Sequence, residues 1–214
     1  IRNDRVVWAT SMVACGDADG AVTGNTRRFG ASFEKIKQVV DVRKGEIMFG
    51  LNMIVHKGRT IFVGDTSVHE YPTSEQMAEI AISTARVVRL FGFDPKVAFV
   101  SHSTFGQPLT SRTKHIRSAV EILKEKKVDF EFDGDMQPDV ALNPEYEELY
   151  PFAKIVGKAN ILIMPGQHSA AISYKLMKTI GETKVIGPLL IGLGLPIEIA
   201  PLRSSTSEIL NLAS

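Results

Sequence analysis

Only one cysteine, Cys15, occurs in 214 residues, so no disulfide can close within the chain. A lone thiol suits a reducing compartment, and the cytoplasm is the expected location. No apolar run approaches the ~20 residues that span a bilayer. The opening IRNDRVVWAT lacks the continuous apolar stretch of a signal peptide and reads as the middle of something longer. The closing EILNLAS stops on a helical pattern without a cap, so a fragment is expected. An excess of either charge is also missing. Lys and Arg number 25 against 24 Asp and Glu, a net charge of +1, which leaves no field to draw nucleic acid or an anionic membrane. There is no short repeat, no low-complexity linker, no P-loop consensus and no complete dinucleotide-binding glycine fingerprint. The five histidines, His56, His69, His102, His115 and His168, have no metal-ligand spacing.

What is present is 44% hydrophobic and 23% charged, ordinary for an α/β protein with a real core. Strand-like and helix-like segments alternate. VVWATSMVA is apolar and fits either element, whereas SFEKIKQVV spaces Phe33, Ile36 and Val40 as a helix does. IMFGLNMIV and TIFVGD read as strands joined by HKGR, a hairpin with Gly58 in its turn. PTSEQMAEIAISTARVVRLFG is the clearest helix. Thr73 and Gln76 form a capping box, Met77, Ile80, Ala81 and Val88 a buried stripe, and Gly92 a stop. KVAFV and NILIMP read as buried strands, each followed by a helix, one presenting Ile116, Val120 and Leu123, the other spanning AAISYKLMKTIG. VIGPLLIGLGLPIEIA is too broken by glycine and proline for one helix.

Two stretches invite an anion. SHSTFGQPLTSR lies between a strand and a helix, where ligands of open α/β sheets bind. Its small hydroxyl residues and Gly106 leave backbone N–H groups free for phosphate, or it is a plain polar loop. IAPLRSSTSEILNLAS places Arg203 just ahead of a helix start. GDADG lacks the spacing and terminal glutamate of a calcium loop, and DFEFDGDMQPD, with Asp129, Glu131, Asp133, Asp135 and Asp139, reads as a solvated strand end and turn. No metal site is expected.

With these segments in place, the chain resembles the phosphotransacetylase family, the phosphate acetyl/butyryl transferases. GDADGAVTG, YPTSEQMAEIAI, KVAFVSHSTFG, FEFDGDMQPDVALNP, VGKANILIMP, SYKLMKTIG, VIGPLLIGLGLP and SEILNLA come in the family's order. VTGNTRRF, HSTFGQP, KVDFEFDGDM and MPGQHSA look like the branch at the carboxyl-terminal end of large bacterial NADP-dependent malic enzymes. The resemblance implies a two-lobed fold similar to the isocitrate and isopropylmalate dehydrogenases, with parallel-rich sheets, flanking helices and CoA in the cleft. It assigns 1–72 and 190–214 to a first lobe, whose amino-terminal part precedes Ile1, and 73–189 to a second. It also implies a homodimer or larger homo-oligomer.

Active family members carry Ser-Arg-Gly before the last helix and an acidic residue near its first turn. A bidentate arginine holds acetyl phosphate, and the carboxylate helps deprotonate a CoA thiol of pKa ~8.5. Here the triplet falls on Pro201, Leu202 and Arg203 and the acidic place on Glu208. A second arginine place holds Glu34, and an acidic place and a Gly-Asn pair fall on Gly166 and Ala170–Ala171. The resemblance therefore implies a domain that no longer transfers acetyl groups. Acetyl-CoA would be its effector, held by Ser103, Thr104, Gly106, Gln107, Arg112 and Arg203. Its partner would be a malic enzyme region of the same polypeptide, with NADP and Mg or Mn bound there and not here. The alternative is a working phosphate acetyltransferase in which Arg27, Arg28 and Arg203 form a different anion clamp.

Overall fold

The computed structural model describes residues 4–213. In chain order the elements are α1 (Arg5–Cys15), β1 (Ala21–Gly24), α2 (Phe29–Ile36), β2 (Phe49–His56), β3 (Arg59–Gly64), α3 (Ser74–Leu90), β4 (Lys96–Val100), α4 (Ser111–Lys126), β5 (Glu131–Met136), α5 (Pro138–Leu142), a 3₁₀ turn at Pro144–Leu149, β6 (Ile161–Ile163), α6 (Gln167–Ile180), β7 (Lys184–Ile191), β8 (Ile197–Ala200) and α7 (Thr206–Ala213).

Local chemistry accounts for most of these bounds. The ambiguous VVWATSMVA lies within α1: Asp4 accepts the N–H of Val6 and Val7, and Gly16 closes the helix in the left-handed region. In α3 the Thr73 N–H donates to Gln76 Oε1 at 2.8 Å, and the Gln76 N–H donates to Thr73 Oγ1 at 3.2 Å. Its stripe of Met77, Ile80, Ala81 and Val88 is buried, and Gly92, at φ +81, follows. The β2–β3 hairpin turns through Lys57 and Gly58, both at positive φ, the geometry that matches the twist of paired strands.

Six strands form one sheet in the order β5-β4-β6-β3-β2-β7. β3, β6, β4 and β5 run parallel, and β2 runs antiparallel to both β3 and β7. α3 and α4 cover one face around Phe49, Phe62, Phe99 and Ile161, while α5 and α6 cover the other around Ile54, Val63, Val100 and Leu162. β1 and β8 pair in parallel as a separate small sheet, with Val6, Val13, Phe33, Ile36 and Ile199 in its core.

The sheets do not divide at residue 72. β2 and β3, assigned from the sequence to the first lobe, are hydrogen-bonded into the same sheet as β4–β7. The reason lies in the hairpin's own side chains. Leu51 and Phe62 face one core and Ile54 and Val63 the other, so the hairpin needs cover on both faces.

Candidate functional site

The parallel strands β3, β4, β5 and β6 end on the same side, and the turns that leave them meet there. The turn after β4 is SHSTFGQPLTSR. Most of the backbone donors at its centre are already spent. The N–H of Ser103 donates to Ser101 Oγ, those of Thr104 and Gln107 to each other's carbonyl, that of Phe105 to the Asp135 carbonyl and that of Gly106 to Asp135 Oδ1 at 3.0 Å. Ser103 is fully buried and donates its hydroxyl to Asp135 Oδ2. Ser103 and the Gly106 N–H, expected from the sequence to meet a ligand, both bond to Asp135 in this structure. Asp135, expected from its polar run to lie in a solvated turn, is fully buried and organises the loop. The other members of that acidic run have separate partners: Asp129 pairs with Arg89, Asp133 accepts the Lys154 N–H, and Asp139 accepts from Tyr146 Oη. Among the described residues no group of three His, Cys, Asp or Glu side chains is arranged to hold a metal.

Thr104 and Gln107 stay nearer the surface. Thr104 Oγ1 accepts the Gln137 N–H at 3.2 Å, and Gln107 is exposed. Arg112, in the first turn of α4, stacks over Tyr71 at 5.7 Å. Both line a cavity of about 380 Å³ with Pro72, His115 and Pro165.

A second cavity, about 360 Å³, opens between the small sheet and the large one. Arg28, Lys175, Thr66, Ser67, Gln167 and Leu202 border it, together with Pro201 and Ala171. Thr66 and Ser67 were missed from sequence. They follow β3 as the serine-rich loop follows β4, so the rule that singled out one turn applies equally to the other. Asp65, almost fully buried, fixes them. It accepts the N–H of Gly50, Ser67, Val68 and His69 at 2.7–3.1 Å and lies 2.7 Å from His69 Nδ1. Thr66 Oγ1 donates to the buried Asn52 Oδ1 at 2.6 Å.

The phosphate acetyl/butaryl transferase family matches the chain over residues 1–214. The chain belongs to that family. It is 45% identical, over its whole length, to an NADP-dependent malic enzyme of Rhizobium meliloti, of which it spans 28%. It is 30% identical over 98% of its length to a phosphate acetyltransferase of Bacillus subtilis, of which it spans 66%. A phosphotransacetylase structure from Streptococcus pyogenes superimposes with a TM-score of 0.89 at 29% identity, covering 97% of this chain and 64% of that one.

Within the family frame, the positions singled out before α7 fall in two environments. Pro201 and Leu202 border the cleft, so an apolar side chain stands where the resemblance calls for an arginine. Arg203 has φ +60, and its N–H donates to the Asn25 carbonyl at 3.0 Å. Glu208 is bound twice over: Oε1 accepts from Lys178 Nζ at 2.6 Å and Oε2 accepts the Ser205 N–H at 2.8 Å. Lys178, then the Ser205 N–H, hold its carboxyl down at about 2. A carboxylate so far below the thiol is a weak base for it. Glu34 lies on α2 and pairs with Lys37 at 2.7 Å. Gly166 cannot accept a side chain in place, because a Cβ there would meet the Glu70 carbonyl oxygen. Arg27 is held by Asp4 at 2.8 Å, while Arg28 borders the cleft.

Proposed function

We propose that this chain is a phosphotransacetylase-like domain without acetyl transfer activity, serving an NADP-dependent malic enzyme as its regulatory and oligomerising part, with acetyl-CoA as effector. One observation carries the loss of chemistry: the cleft offers Leu202 at the arginine place, and Glu208 is bound to Lys178 and the α7 cap. Losing a phosphate-binding arginine costs about 2–5 kcal/mol of transition-state binding, roughly two to four decades in rate. The likeness to malic enzymes supports the parent protein. In that parent, malate is oxidatively decarboxylated to pyruvate with NADP and Mg or Mn, on residues outside this chain. The proposed setting is cytoplasmic, on the single-cysteine usage of the chain. Among the described residues no helix is long and apolar enough to cross a membrane.

Acetyl-CoA is assigned to the turns beyond the parallel strand ends, with Arg112 beside Tyr71 and Arg203 ahead of α7 as phosphate partners. Thr104 and Gln107 contribute side-chain donors. Replacing Arg112 or Arg203 with alanine is expected to weaken acetyl-CoA binding by about 1.5–3 kcal/mol, read by calorimetry on the full-length polypeptide. Unchanged affinity in both variants overturns these contacts, and no binding by the wild type removes the effector. A second reading, a working phosphate acetyltransferase, draws on Arg28 and Lys175 at the cleft, two cations that could stand in for the lost arginine.

A further inference from the structure

Cations around this fold are mostly matched by acids: Arg27 pairs with Asp4, Arg86 with Glu46, Lys126 with Glu79 and Lys178 with Glu208. The cleft between the two sheets breaks that pattern. Arg28 and Lys175 both border it, and no aspartate or glutamate stands in its lining. Among the described residues neither cation has a carboxylate partner; Lys175 lies over the Tyr174 ring at 5.8 Å. Gln167, the first residue of α6, borders the cleft too, and Gly166 ahead of it provides no side-chain cap. The positive end of that helix therefore adds to the two cations.

One part of the lining is polar and already ordered. Ser67 Oγ lies 3.5 Å from Thr66 Oγ1, which donates to Asn52 Oδ1. Asn52 is fully buried, and its Nδ2 has no hydrogen-bond partner among the described residues. Asp65 beside them brings no free acceptor, because its oxygens take the N–H groups of Gly50, Ser67, Val68 and His69. Much of the rest is apolar: Phe29, Ala171, Pro201 and Leu202. Inorganic phosphate carries oxygens on every side, and those turned to this apolar part would leave water without a donor in return. A small monocarboxylate has its charge at one end only, and each methylene covered by the apolar part raises affinity about fourfold. We infer that this cleft, of about 360 Å³, is a binding site for a short-chain monocarboxylate. Arg28, Lys175 and the Ser67 hydroxyl hold the carboxylate, and Leu202 and Phe29 cover the alkyl end. The inference rests on the cleft lining and not on the acetyl-CoA reading, whose cationic contacts are Arg112 and Arg203.

Calorimetry on the full-length polypeptide tests it, with sodium acetate, propionate, butyrate and phosphate as titrants at fixed ionic strength and no CoA ester present. Affinity is expected to rise about fourfold per methylene from acetate to butyrate, with phosphate weaker than butyrate. Arg28→Gln and Lys175→Gln are each expected to weaken butyrate binding at least about fivefold. Circular dichroism stays native in both, because both side chains are exposed. Leu202→Arg is expected to reverse the order and favour phosphate. The inference is overturned if none of the three carboxylates binds, or if affinity does not climb with chain length. It is equally overturned if both glutamine variants bind butyrate as the wild type does. Tighter binding of phosphate than of butyrate by the wild type also overturns it, and favours the working transferase instead. Acetyl-CoA affinity, measured separately, stands or falls independently of these outcomes.

Discussion

Asp135 and Asp65 each follow or close a strand and gather the donors of the turn beside them. Asp135 takes the Ser103 hydroxyl and the Gly106 N–H; Asp65 takes four backbone N–H groups. Neither role was legible, because an aspartate in a polar run looks solvated until the fold shows which donors converge on it. Asp135→Asn keeps the shape and removes the charge. It is expected to cost about 1–3 kcal/mol in urea unfolding and to speed exchange of the Gly106 amide. An unchanged midpoint would show that the loop stands without it. Glu198 behaves differently. Burial pushes its carboxyl up to about 7, well above the usual carboxylate range, and the Leu190 N–H only partly offsets this. The folded value is the higher one, so its contribution is fully present below the unfolded pKa of about 4.5 and is lost as pH rises through 7. Glu198→Gln is expected to flatten that slope and to stabilise the protein by about 2 kcal/mol near pH 8, discounted because the side chain borders an open cavity. Parallel stability curves for the two proteins would refute it.

At the scale of elements, α3 was the most legible part of the chain. Its cap, stripe and stop are all local, and local signals survive folding. Thr73→Ala is expected to cost about 1 kcal/mol, measured as a lower unfolding midpoint, and no change would mean the cap is redundant. The β2–β3 hairpin was equally local, through Gly58. Its place in the large sheet was not, because pairing of Ile54 with Val185 spans the chain and leaves no mark near either residue. α1 stayed ambiguous for a related reason: a short apolar run fits a buried strand or a helix, and Asp4 and Gly16 decide between them.

For the whole molecule, the α/β architecture with its mostly parallel sheet and the family were readable from the order of motifs. The cleft itself was only half readable. Leu202, Pro201 and Ala171 do border it, but Thr66 and Ser67 come from a segment that carries no motif of its own, and within MPGQHSA and SYKLMKTIG nothing marked Gln167 and Lys175 as cleft residues. The central claim is that this cleft has lost acetyl transfer. The most direct measurement is the rate at which the full-length polypeptide forms acetyl-CoA from acetyl phosphate and CoA, run beside the Bacillus subtilis phosphate acetyltransferase. The account predicts a rate lower by about a thousandfold or more. A rate within about tenfold of that enzyme would contradict it.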